Sequence, residues 1–170
     1  KHSKIELKDI TFNKNYFLKV KKVKIKRKKI FISVDSRHDS NDWKQIYYIQ
    51  LIKKILKKKF ITKIYINFDP SKMKSFEKIL NEFKDDKKII FTHSINFDEL
   101  ILIMNSCTYV LGNESGPICI GAALKKNVLS IYYPKHTNKS SKTIYNKVKF
   151  FNTDIISSKK IISNILKILK

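Results

Sequence analysis

All three glycines of the chain, Gly112, Gly116 and Gly121, fall within "LGNESGPICIGAALKK", residues 111–126, together with Ala122 and Ala123. The stretch reads as a strand end, a polar loop "NESG" and a helix opening at Pro117. Glycine lets the backbone take positive φ and approach a ligand, and proline at the first helical position costs no donor that the helix needs. The first turn of such a helix leaves N–H groups unpaired at the positive end of its dipole, where a phosphate is attracted. Glu114, Ser115, Gly116 and Pro117 are therefore the first candidates for an anion-holding loop. The competing reading is packing, since small residues also let a helix lie close to a sheet, and Gly121, Ala122 and Ala123 are expected to serve that purpose.

Asp69, just after the apolar run "IYINF", can reach a nucleotide ribose as acidic residues at strand ends do, and is equally well placed as a turn residue before Pro70. Lys135, His136 and Thr137 follow the last apolar run and are weaker phosphate contacts. His2 and His93 have no partner legible in the sequence, and Asp85 and Asp86 read as a solvated turn. Cys107 and Cys119 have neither the paired spacing of a zinc site nor the density of a disulfide scaffold, which points to a reduced, cytoplasmic setting without metal or cofactor.

Such loops need elements to bring them to one edge. From Ile30 onward, short apolar runs alternate with amphipathic stretches, as in repeated βα units. "IFISV" (30–34), "ITKIYINF" (61–68), "KIIFT" (88–92), "TYVLG" (108–112) and "VLSIYY" (128–133) read as strands. Helices are predicted over about 43–58, from Pro70 or Ser71 through Phe83, after an Asn96 N-cap with Asp98 and Glu99 in the first turn, from Pro117, and over "SKKIISNILKILK" at the end. That last helix carries Ile161, Ile162, Ile165, Leu166 and Leu169 on one face and lysines opposite. It is expected to pack against the sheet, although a basic amphipathic helix can also lie on a membrane. The fold class is α/β, a Rossmann-like parallel sheet flanked by helices. Residues 29–170 form this domain, and residues 1–28 a linker or edge segment from the preceding part of a longer chain.

The 170 residues carry 37 basic and 14 acidic side chains, a net charge of +23. Such a charge suits nucleic acid or an anionic surface. Only Arg27 and Arg37 are arginines, however, and the lysines are spread evenly among abundant Ile and Asn, as codon bias in an AT-rich coding sequence produces. Sequence-specific readers favour arginine, and single-strand binders interleave aromatic and basic residues; neither pattern stands out. No run of about 18 apolar residues is present, and the start does not read as a signal peptide.

"FDELILIMNSCTYVLGNESGPICIGAAL" resembles the signature of the family 9 glycosyltransferases, the heptosyltransferases of lipopolysaccharide assembly: E-L-x-x-L-I-x-x-(A/S)-x-x-V-I-G-N-D-(S/T)-G-P-x-H-x-A-A-A-L. "ISVDSRHDSNDW" resembles the same family's Ser/Thr-bearing strand end leading to K-x-W-P. The resemblance covers about residues 28–170 and implies the C-terminal half of a two-domain GT-B enzyme that binds a nucleotide-sugar, with ADP-heptose the default donor and a lipid-linked or oligosaccharide acceptor. It implies that the Glu114–Ser115–Gly116 loop holds the donor diphosphate, that Ser36 lies near it, and that no metal is needed. The general base would belong to an N-terminal domain outside this chain, so no catalytic residue is assigned here. Work on such an acceptor at the inner membrane would suit a cytoplasmic protein with peripheral membrane contact. Departures are specific: Glu114 replaces Asp, Cys119 replaces His, Asn41 stands where Lys is usual, and Lys44 replaces the Pro after Trp43. Arg37 or His38 could supply the missing cation. A catalytically silent relative, or a basic module for nucleic acid or anionic surfaces, is the alternative.

Overall fold

The computed structural model describes residues 11–12, 18–19, 28–36, 43–132 and 148–169. Six strands form one parallel sheet: β3 (Lys28–Ser33), β4 (Ile61–Asn67), β5 (Ile89–Phe91), β6 (Tyr109–Asn113), β7 (Asn127–Tyr132) and β8 (Val148–Asn152). Their order is β5-β4-β3-β6-β7-β8, in which the chain works outward on one side of β3 and then returns to begin again at β6. This is the doubly wound order, and its reversal point lies between the carboxyl ends of β3 and β6. A separate antiparallel pair, β1 (Thr11–Phe12) and β2 (Leu18–Lys19), lies within the segment expected to be a linker or edge.

Alternation along the strands fills both faces. Ile30, Ile32, Ile64, Ile66, Leu111 and Leu129 point to one side, where α1 (Gln45–Leu56), α2 (Glu77–Phe83) and α5 (Ser158–Ile168) cover them. Phe31, Tyr65, Val110 and Val128 point to the other, under α3 (Phe97–Ser106) and α4 (Gly116–Ala123). A fully buried aliphatic side chain contributes about 1.5–3 kcal/mol, so two filled faces are the main source of stability. The apolar face of α5 is used up in this way: Ile161, Ile162, Ile165 and Leu169 are buried in the cluster that includes α1. The packing expectation for that helix holds.

Local chemistry sets the element ends. Asn96 caps α3 through a complete capping box, its side chain accepting from Glu99 N–H at 2.9 Å while Glu99 accepts from Asn96 N–H at 3.3 Å. α1 starts later than its periodicity predicts, because Trp43 donates its backbone N–H to Asn113 Oδ1 (3.0 Å) and its indole N–H to Ser158 Oγ (3.0 Å). The second helix is two pieces: a 3-10 helix over Pro70–Phe76, capped by Asp69, runs into α2. At their junction Gln45 Nε2 donates to the Ser75 carbonyl. β8 is an edge strand that the apolar pattern of "VKFFN" does not announce. Tyr133, with which the fifth predicted strand ends, lies outside the described residues.

Candidate functional site

The carboxyl ends of β3 and β6 are brought unusually close by Gly112. Its φ is +152°, and a Cβ there would sit 1.9 Å from the Ser33 carbonyl oxygen, so only glycine fits. Register pairs Ser33 with Gly112 directly. Just beyond, buried Asn113 pins the two strand ends together, donating from Nδ2 to Val34 O at 2.7 Å while accepting from Trp43 N–H. Gly121 serves α4 in another way, since a Cβ there would meet the Val110 side chain at 2.8 Å. Gly116 differs from both: nothing lies within 4 Å of where its Cβ would be. Two glycines are therefore explained by packing, and the third opens onto free space at the first residue of a helix.

That space is a cleft of about 550 Å³ along the carboxyl edge of the sheet. Five of the residues singled out in the sequence line it: Ser36, Asp69, Ser115, Gly116 and Pro117. Glu114 is next to the cleft in sequence but is not among its lining residues; its N–H donates to Ile131 O at 3.0 Å. Arg37, His38, Asn41, Lys135, His136 and Thr137 lie outside the described residues. Sequence reasoning passed over Asp35, Lys72, Thr92, Ile95 and Phe97, which also line the cleft, and it saw no role for His93. Their common signal is position just past the ends of β3, β4 and β5, which the sequence reveals only once the strand order is known.

The polar groups are closely linked. Asp35 accepts from Ser33 Oγ at 3.3 Å and from Asp69 N–H at 2.9 Å. Burial raises its pKa above the usual carboxylate value, while that backbone bond and the Lys72 ammonium act in the opposite direction. Lys72 donates from Nζ to Ser36 O at 2.6 Å. Asp69 accepts from the Ser71 hydroxyl and N–H, at 2.7 and 2.9 Å, and these bonds hold its pKa low. Ser115 does not cap α4; its hydroxyl lies 3.2 Å from Ser33 Oγ instead. Ile95, Phe97 and Leu100 supply an apolar wall, and His93 stacks on Phe68 at 4.9 Å with its Nδ1 buried and unpartnered. Desolvation and the Glu114 carboxylate push the pKa of the exposed Cys119 thiol up, so it stays neutral, and a thiol, unlike an imidazole, has no cationic form to bring to the loop. A cleft lined by an open helix N-terminus, hydroxyls, an ammonium and apolar groups can take a ligand that joins a phosphate to a flat ring.

Comparison with known proteins bears on the family and the fold. The family model for glycosyltransferase family 9 (heptosyltransferase) matches residues 2–162. Among solved structures, the chain is similar to E. coli ADP-heptose lps heptosyltransferase II, with a TM-score of 0.69 and 13% identity over 84% of this chain and 46% of that one. It is similar also to a family 9 glycosyl transferase from Veillonella parvula (TM-score 0.64, 16% identity, 87% of this chain and 41% of that one). The third is E. coli heptosyltransferase WaaC with ADP (TM-score 0.63, 12% identity, 83% and 44%). The chain thus spans less than half the length of each. At these identities the likeness concerns the fold: a Rossmann-like parallel sheet with helices on both faces. No curated protein matches the chain.

Proposed function

The chain belongs to glycosyltransferase family 9, the heptosyltransferase family, and from that premise we propose that it is the donor-binding half of an inverting, heptosyltransferase-like GT-B enzyme. The observation that carries the reading is Gly116, open to the cleft at the start of α4 and flanked by Ser115 at the reversal point of the sheet. Here the helix dipole, the loop N–H groups and Ser115 would hold the donor diphosphate, and the apolar wall at Ile95 and Phe97 would take the nucleobase. As the glycosidic bond breaks, negative charge grows on the departing diphosphate, so the same donors that bind it also favour the transition state. ADP-heptose is the default donor, in keeping with a solved relative bound to ADP.

The general base that removes the acceptor proton is assigned to a further domain, as is the acceptor, a lipid-linked or oligosaccharide surface glycan precursor. Residues 29–170 are the donor domain in this reading, and the enzyme works at the cytoplasmic face of the inner membrane in lipopolysaccharide or other surface-glycan synthesis. The neutral Cys119 in the first turn of α4 favours a second reading, a silent relative that keeps the fold without donor affinity.

Calorimetric titration of this chain with ADP, UDP, GDP and CDP decides between them. The donor reading expects one nucleotide to be selected, with binding that survives high salt and weakens roughly tenfold or more in Ser115→Ala, the loss of one hydrogen bond to a charged group. Equal, salt-sensitive binding of all four would assign the ligand to the lysines. No binding would favour the silent relative.

A further inference from the structure

Ser33 ends β3 with a fully buried residue whose hydroxyl has two partners and one hydrogen. That hydrogen is given to Asp35 Oδ1, a carboxylate oxygen that can only accept when ionised. The 3.2 Å contact to Ser115 must then run the other way, with Ser115 donating to Ser33. Asp35 Oδ2 is occupied as well, by Asp69 N–H at 2.9 Å. With Asp35 ionised, both hydroxyl hydrogens point away from the cleft, and Ser115 presents lone pairs to whatever enters. A phosphate oxygen also offers only lone pairs, so the loop in this state is set against the ligand it is shaped to receive.

We propose that diphosphate binding at Ser115 is coupled to uptake of one proton by Asp35, with Ser33 reversing its hydrogen bond between them. The inference rests on the donor-binding reading. A solvent proton is taken up at Asp35 Oδ1, which then donates to Ser33 Oγ; Ser33 turns its hydrogen to Ser115 Oγ, and Ser115 turns its own to a phosphate oxygen. Beyond that single protonation no covalent bond forms or breaks, the site gains one positive charge, and Asp35 Oδ2 keeps its bond from Asp69 N–H throughout.

The surroundings favour this. Burial already lifts the Asp35 pKa, and a diphosphate in the same cleft lifts it further by like-charge repulsion. The other carboxylates nearby in the chain are Asp69 at the end of β4, whose N–H bond to Asp35 favours the ionised form, and Glu114 on the β6–α4 loop. Lys72 on the 3-10 helix opposes it, and it is tied to Ser36 O. His93 at the end of β5 lines the same cleft, and Arg37 and His38 lie outside the described residues. The sign follows: the complex carries one proton more than the free chain, so affinity falls as pH rises, by up to about tenfold per pH unit between the Asp35 pKa values of the free and loaded chain.

The test is calorimetry with whichever nucleoside diphosphate binds, from mildly acidic to mildly basic pH, in paired buffers of different ionisation heat, on the wild-type chain, Asp35→Asn and Ser33→Ala. Asp35→Asn keeps an acceptor for Asp69 N–H and can donate to Ser33 permanently. It is expected to lose the share of proton uptake and of pH dependence that Asp35 contributes, while the nucleotide's own terminal phosphate, with a second pKa of about 6, titrates alike in all three chains. Ser33→Ala keeps the charge and cuts the chain, and is expected to show reduced uptake together with weaker binding; it decides the matter even if Asp35→Asn does not fold. Equal buffer-dependent heats in the wild type and Asp35→Asn, or undiminished uptake in Ser33→Ala, would overturn the proposal while leaving the donor reading intact. Failure of the wild type to bind any of the nucleotides overturns both.

Discussion

At the scale of single residues, the three glycines were legible as a group but not as individuals. Their clustering marks the loop in sequence, yet the register of β3 against β6 is what assigns Gly112 to close approach, Gly121 to helix packing and Gly116 to open space. The same register explains why Ser33 and Asp35 escaped notice, since Ser33 meets Ser115 across 82 residues of chain. Alanine substitution separates the roles. Gly112→Ala forces both a disfavoured φ and a clash with backbone, each worth roughly 1–3 kcal/mol, so a loss of about 3 kcal/mol or more is expected in denaturant unfolding. Gly116→Ala is expected to leave stability within about 0.5 kcal/mol, as for a surface site. It should weaken nucleotide binding instead, because the new methyl group occupies space over the helix N-terminus. Equal stability of Gly112→Ala and wild type would show that the two strand ends are less closely joined than the geometry says.

At the scale of elements, strong periodicity was readable and weak periodicity was not. The five apolar strands and the Asn96 cap follow from local pattern alone, whereas β8 is a lysine-bearing edge strand whose pairing with β7 is decided by neighbours. The late start of α1 depends on Trp43 reaching Asn113, a partner far along the chain that no local window contains. The end of α4 shows a local compromise. Lys126 N–H donates to Gly121 O at 3.0 Å and Lys125 N–H to Ala122 O at 2.9 Å, the paired bonds of a Schellman motif, with Lys125 itself at φ 58°. Glycine is the residue this position favours, because it has no Cβ to crowd the carbonyl in the left-handed region. Lys125→Gly is therefore expected to stabilise the fold by about 0.5–1 kcal/mol, and Lys125→Ala to do nothing comparable. A rise in the unfolding midpoint for Gly alone checks this; equal rises would assign the effect to loss of a lysine charge.

At the scale of the whole molecule, composition suggested a polyanion partner and the fold decides what form such an attraction can take. The charge of +23 is real and unbalanced, and among the described residues no helix is long and apolar enough to cross a membrane. The helix that looked most suited to lie on a bilayer, α5, has committed Ile161, Ile162, Ile165 and Leu169 to the core, so it has only its lysine face to offer. Attraction of α5 to an anionic leaflet would then be electrostatic, worth about 1 kcal/mol for each lysine near the surface, and screened over a Debye length of about 10 Å at 0.1 M salt. The chain is expected to co-sediment with vesicles containing anionic lipid at low salt, to be released as salt is raised, and to ignore neutral vesicles. Ser115→Ala should change none of this, because the substitution leaves every lysine in place. Retention at high salt would require inserted apolar groups, with the loop residue Ile155, 80% exposed, the first to replace by Ser. No binding to anionic vesicles at low salt would leave the lysines as composition only, and the proposed contact with the inner membrane would fall while the nucleotide cleft stood.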